Sequence, residues 1–256
     1  MTKFTRQIDQ DFFTAINAEH PTLEQINDVI YKDRSVVFSV NSAKETGLHI
    51  AATSGDYKIV EALIKGGANI NAQNTHGETP IRQASQNGHV EIVKLLCSFG
   101  ANPNLDTPLH EAAFRGNIEL VKILCDHNAN PNHLDKERST PLHYITCERF
   151  IGEITMDHIK AMDILIERGA SPKQLNLSKL NPLETLELNT QICEDLKAQM
   201  REILNPTSYR KTRQGFLLTA EILEALEDFN NTGKKKKPPI GNNTLSSSPS
   251  KQLWQY

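Results

Sequence analysis

Apolar residues recur along this chain at helical spacing, in short runs placed at regular distances. Ile59, Val60, Leu63 and Ile64 form one run, Val90, Ile92, Val93, Leu95 and Leu96 a second, and Ile118, Leu120, Val121, Ile123 and Leu124 a third. Each run predicts a short amphipathic helix. A narrower stripe precedes the first of them: Leu48, Ala51 and Ala52 share one face, and their small alanines let a partner helix approach closely. Gly55 then ends this first helix in a residue tolerant of positive φ, and Gly67 and Gly100 end the first two of the longer runs. The pattern is therefore one of helical hairpins. A hairpin this small cannot hide its own apolar face, so stability must come from neighbours stacked on both sides.

The hairpins repeat. Thr46-Gly47-Leu48-His49, Thr79-Pro80-Ile81-Arg82, Thr107-Pro108-Leu109-His110 and Thr140-Pro141-Leu142-His143 begin at intervals of 33, 28 and 33 residues. Proline suits the first turn of a helix because its φ is fixed and its missing donor is not needed there, and the threonine before it can cap. Gly55, Gly88 and Gly116 stand at equivalent places in the first three units, as do Gly67-Ala68-Asn69, Gly100-Ala101-Asn102 and Asn128-Ala129-Asn130, and the fourth unit ends in Gly169-Ala170-Ser171. Periods of this length signal stacked repeats. Over residues 41–174 these motifs resemble the ankyrin repeat. The resemblance implies an all-α solenoid of helix-turn-helix units, here about four, with degenerate end caps.

The ends follow the same logic. Residues 1–40 read as a degenerate leading repeat, with Phe12, Phe13, Ala15 and Ile16 on one helix and Leu23 to Tyr31 on the next. Asp9, Gln10, Asp11, Glu19 and Glu24 would supply the polar outer face that an end cap requires. Residues 175–204 read as an atypical fifth repeat, 205–230 as a capping helix centred on 216–229, and 231–256 as a disordered basic tail. Two irregularities fall in connections. The link before Thr107 is five residues short, so a protruding turn is almost absent there and a gap opens in the row of turns. The fourth unit carries eight extra residues around Glu148 to Asp157. Such changes lie in loops, often on the binding side.

Composition narrows the function. Hydrophobic residues make up 38% of 256, which suits a thin extended core better than one large one. The formal charge is −3, and the five lysines of residues 231–256 leave −8 on the rest, a poor surface for nucleic acid. No apolar stretch is long enough for a membrane span or an ordinary secretory leader, which predicts a soluble chain made in a cytosol. Cys97, Cys125, Cys147 and Cys193 form no CxxC and no Cys/His cluster, and read as reduced thiols. His76, His89, His127 and His133 fit no compact metal set, and Gly66-Gly67 is no phosphate loop, so no metal or other cofactor is expected. Lys234-Lys235-Lys236-Lys237 before Pro238-Pro239 resembles a short nuclear import signal within a solvated tail. Lysine outnumbers arginine 18 to 10 and asparagine reaches 21, a bias that reads as an AT-rich genome rather than a demand of the fold.

One catalytic arrangement is open to sequence. His143 and Cys147, four apart on a predicted helix, would share a face as a base and its nucleophile do. The ankyrin resemblance offers a plainer role, since its imidazole at this place hydrogen-bonds backbone and the neighbouring unit; Arg82 departs from that pattern. The resemblance also implies which surface binds. On the turn tips stand Ser42, Ala43, Glu45, Gln73, Thr75, His76, Glu78, Asp106, Lys136, Glu137 and Ser139, and on the helical wall Thr53, Ser54, Gln86, Asn87, Phe114, Arg115, Cys147 and Glu148. Phe114-Arg115 pairs two residue types enriched in binding hot spots, beside the missing turn. The expected function is a monomeric, non-catalytic protein-binding module. Its worn terminal repeats and polar tail are similar to ankyrin effectors that intracellular bacteria deliver into host cells; a cytosolic adaptor or regulatory subunit is the alternative, and an enzyme built on His143 and Cys147 a third.

Overall fold

The computed structural model describes residues 6–18, 21–147 and 154–205, all within the compact unit Met1–Pro206. The expected helix at 216–229, the tail 231–256, Glu19 and the inserted residues from Glu148 to Glu153 lie outside them. The described chain is a succession of helical hairpins without strands: α1 (Gln7–Ile16) with α2 (Leu23–Lys32), α3 (Gly47–Ser54) with α4 (Tyr57–Lys65), α5 (Pro80–Asn87) with α6 (Val90–Ser98), α7 (Pro108–Phe114) with α8 (Ile118–Asp126), α9 (Pro141–Thr146) with α10 (Met156–Glu167), and α11 (Pro182–Leu188) with α12 (Glu194–Leu204). The odd-numbered helices pack in one row and the even-numbered in another, each touching its predecessor in the row and its own hairpin partner. The fold is an all-α solenoid.

The second helices carry the larger side chains inward. Ile59, Val60 and Leu63 of α4, Ile92, Val93 and Leu96 of α6, Leu120, Val121 and Leu124 of α8, and Ile159, Met162 and Leu165 of α10 are all buried, each such side chain contributing about 1.5–3 kcal/mol through burial. In the first row the small residues Ala51, Ala52, Ala84, Ala112 and Ala113 are buried where rows approach. In α1 the expected polar face is interrupted. Asp9 is buried, and its carboxylate accepts from Arg6 Nε at 3.1 Å and from Ser39 Oγ at 2.5 Å, so it ties the first hairpin to the link beyond α2 rather than meeting solvent. Arg6, followed by the Ser39 hydroxyl, holds this carboxyl below its ordinary range against the cost of burial.

The connections are as regular as the helices. Four of the five links contain the same tight turn, at 41–45, 74–78, 135–139 and 176–180. In each, the first residue's N–H donates to the fifth residue's carbonyl at 3.0 Å, and the fourth residue's N–H returns to the first residue's carbonyl. The fourth residue is Lys44, Gly77, Arg138 or Lys179, all at positive φ, the left-handed position that closes a three-residue hairpin loop. The side-chain oxygen of the first residue completes the turn: Asn41 accepts from Ala43 and Glu45, Asn74 from His76 and Glu78, and Asp135 from Glu137 and Ser139. A second set of asparagines straps unit to unit. Asn71 Oδ1 accepts from Asn102 N, Asn104 Oδ1 from Asn130 N and Asn132 Oδ1 from Ser171 N, at 2.6–2.8 Å. The abundance of asparagine is thus in good part a demand of the fold, contrary to the compositional reading.

Candidate functional site

Three histidines hold the turns onto the helices. His49 Nδ1 accepts from the Thr46 amide at 3.1 Å and lies 2.9 Å from its hydroxyl, which leaves Nε2–H to donate to Glu78 O at 3.0 Å in the next turn. His143 repeats this with Thr140 and Leu180 O. Burial keeps both imidazoles below the ordinary histidine range, so they stay neutral. His143 therefore has both ring nitrogens engaged. Moreover α9 ends at Thr146, and Cys147 takes extended backbone with φ −77° and ψ 153°, so the shared helical face expected for His143 and Cys147 does not exist. Histidines also strut the far ends of the first-row helices: His89 Nε2 lies 3.0 Å from Thr53 O and His158 Nε2 3.2 Å from Phe114 O. His127 Nδ1 is 2.8 Å from Ile123 O, and His133 stacks edge-on with His110. Among the described residues, no group of three or more His, Cys, Asp or Glu could hold a metal ion.

The second unit solves the same problem differently. With its turn deleted, the link reaches Thr107 in a single step, and Thr107 adopts φ −117° and ψ 41° instead of the extended conformation of Thr46, Thr79 and Thr140. Arg82, at the histidine position, has the reach to compensate. Its guanidinium pairs with Glu78, with Asp106 at 3.6 Å and with Glu111 at 2.9 Å, and Nε donates to Thr107 Oγ1 at 3.2 Å. Asp106 Oδ2 also accepts from Thr79 N at 3.3 Å. Three carboxylates thus surround one cation, and burial pushes Asp106 and Glu111 above the ordinary carboxylate range despite Arg82. The distortion at Thr107 has a second effect. His110 still meets Ser139 O through Nε2 at 3.0 Å, but its Nδ1 is buried with no partner among the described residues, and burial drives its pKa down to about 4.

A groove opens next to this unit, between the first-row helices and the turns. Glu111 and Phe114 of α7, His143 and Tyr144 of α9, Cys147 beyond it, and Thr185 and Leu188 of α11 form its floor, while Glu137, Ser139, Asn176, Ser178 and Leu180 form its wall. Phe114 and Tyr144 meet edge-to-face with centroids 6.3 Å apart. Tyr144 Oη donates to Asp135 Oδ2 at 2.9 Å, and burial together with Asp135 pushes its phenol upward, so it remains a proton donor. Leu188 is 59% exposed on the groove floor.

The residues predicted from sequence divide into three groups. Gln73, Thr75 and His76 are exposed and Glu78 half-buried on the second turn; Lys136 and Glu137 are exposed on the third. Gln86 is half-buried and Asn87 exposed at the end of α5, where Asn87 Nδ2 donates to Gln83 O. Asp106 sits in the shortened link, Phe114 is half-buried in the groove, Arg115 is exposed at the cap of α7, and Glu148 lies outside the described residues. Tyr144 and Leu188 were missed. The position after each Thr-Pro-Leu-His step, held by Ile50, Gln83, Glu111 and Tyr144, is a row whose last two members face the groove, and that row was the available signal.

Comparison with known proteins agrees with this architecture. A family model of ankyrin repeats in three copies matches residues 15–106 and 99–176. The chain is 39% identical over 72 residues to the probable E3 ubiquitin-protein ligase XBOS32 of Oryza sativa subsp. japonica, covering 28% of this chain and 14% of that protein. It is 42% identical over 62 residues to Rabankyrin-5 of Mus musculus, covering 24% of this chain and 5% of that one. It is 37% identical over 59 residues to the ADP-ribosylation factor GTPase-activating protein AGD2 of Arabidopsis thaliana, covering 23% and 8%. The chain thus spans between 5% and 14% of the length of these relatives, and the activities in their names belong to much longer proteins. Repeat period, hairpin stacking and matched residues lead to one conclusion: the chain belongs to the ankyrin-repeat family.

Proposed function

We propose that this chain is a non-catalytic, monomeric protein-binding module that holds its partner in the groove between the first-row helices and the turns. The observation that carries this reading is the half-open floor of Phe114, Tyr144 and Leu188, flanked by Glu111 and Glu137. Aromatic side chains with an apolar body and a polar rim are the usual anchors of a protein interface, and a wall of rigid helices lowers the ordering cost of binding. The engagement of both His143 nitrogens supports the non-catalytic part. The net negative body supports a protein partner over nucleic acid. Affinity capture from lysate tests the reading: Phe114→Ala and Arg115→Ala each weaken the captured partner by about 2 kcal/mol with little change in melting. Unchanged affinity in both overturns it. Delivery into a host cell is the finer role that the worn terminal repeats and the polar tail suggest, and deletion of residues 231–256 without loss of delivery, and with no other export signal found, counts against it. A neutral-pH thiol probe that labels Cys147 far faster than Cys97 and Cys125, whose thiols burial raises to about 11, would restore the enzyme reading.

A further inference from the structure

Adjacent turns bond to each other in a fixed register. Thr75 N, in the second residue of its turn, donates to Ala43 O, in the third residue of the turn before, at 2.8 Å; Leu177 N donates to Glu137 O in the same way at 2.9 Å. Applied to the deleted turn, this register leaves two groups over: the carbonyl of His76, which a third-unit turn would have used as acceptor, and the N–H of Lys136, which would have donated to it. Among the described residues nothing accepts from Lys136 N. Among the same residues His76 O receives only the Lys136 ammonium, reaching across the gap to 3.4 Å, which is long for such a bond. Glu78, which ends the second turn, and Asp106, in the shortened link, belong to the Arg82 cluster, in which Glu78, Asp106 and Glu111 outnumber the guanidinium three to one. The gap is thus a slot with one backbone acceptor, one backbone donor and an acidic base.

We propose that this slot receives a basic loop of a partner protein, which inserts a tight turn where the array lacks one. Its backbone N–H donates to His76 O in place of the Lys136 ammonium, its carbonyl accepts from Lys136 N, and a lysine or arginine side chain reaches Asp106 and Glu111 beside Arg82. Backbone pairing of this kind gives affinity while side-chain pockets give selectivity, and charge complementarity excludes acidic loops. The inference rests on the protein-binding reading and makes it specific: the groove holds the partner's apolar anchor, and the slot selects its basic loop.

The test uses the full chain, isotopically labelled, and a disulfide-closed peptide of residues 73–79 carrying Thr75→Arg, with a Thr75→Glu twin. The arginine peptide is expected to bind saturably, shift the Lys136 amide and bind at least tenfold tighter than the glutamate twin. Lys136→Ala keeps the N–H and removes the competing ammonium, so it binds at least as well. Lys136→Pro removes the N–H at a turn position that favours proline, so it stays folded by melting and loses binding at least tenfold. Equal affinity for the two peptides, shifts that map away from Lys136, or no saturable binding at millimolar peptide overturns the slot assignment. If Phe114→Ala still loses the captured partner while the arginine peptide fails to bind, the slot is wrong and the groove stands. If the peptide binds as expected while Phe114→Ala keeps the partner, the slot stands without the groove.

Discussion

Single residues set how closely the units approach. Gly116 closes α7 at φ +61°, and a Cβ there would stand 2.7 Å from Nδ1 of His158. That imidazole cannot move aside, because Thr155 and Phe114 O engage both its nitrogens. Gly88 has a similar φ of +76° but open space around it. Gly88→Ala should cost about 1–2 kcal/mol from the left-handed backbone alone, and Gly116→Ala clearly more, as denaturant midpoints would show. His110 makes a different prediction. Its imidazole titrates near 4 in the fold, driven down by burial, and near 6.5 when unfolded. The unfolded chain therefore binds more protons in that window, and stability falls as pH drops from about 6.5 toward 4, by up to about 3 kcal/mol from this residue. Denaturation at pH 7.5 and 5 measures the slope. His110→Gln should reduce the slope, leaving the share that the buried His49, His143 and His158 contribute in the same direction, and an unchanged slope would remove His110 as a source.

At the scale of elements, the second unit shows what a pattern of residues can and cannot reveal. Thr-Pro starts, glycine stops and the runs of Ile, Val and Leu are local requirements of a helix, so the hairpins and their period are legible directly. The deletion before Thr107 was legible too, as was the departure at Arg82. Their connection was not, because it joins Glu78, Arg82, Asp106 and Glu111 across two connections and two helices and depends on the altered backbone of Thr107. At the position where the other units carry a histidine bonded to the next turn's last carbonyl, Arg82 instead takes up the carboxylates of Glu78, Asp106 and Glu111 and donates to Thr107 Oγ1. Arg82→Ala should then cost about 2–3 kcal/mol, because three partly buried carboxylates lose their cation. A double-mutant cycle of Arg82→Ala with Asp106→Ala should show a coupling of about 0.5–3 kcal/mol; strict additivity would mean that the pair is incidental.

For the whole molecule, the groove was harder to read than the stack. Stacking follows from apolar faces that each unit must cover, whereas the groove depends on which units place an aromatic or a leucine at the same height, and Phe114, Tyr144 and Leu188 come from three successive units. In such a stack stability passes only between neighbours. Native-state hydrogen exchange of Leu109→Ala tests it most directly, since Leu109 is 2% exposed in the middle of the array and its cavity should cost about 2–5 kcal/mol. The stacked arrangement predicts that protection falls most in α5 to α10 and progressively less toward α1 and α12. A uniform loss of protection across every helix would contradict it.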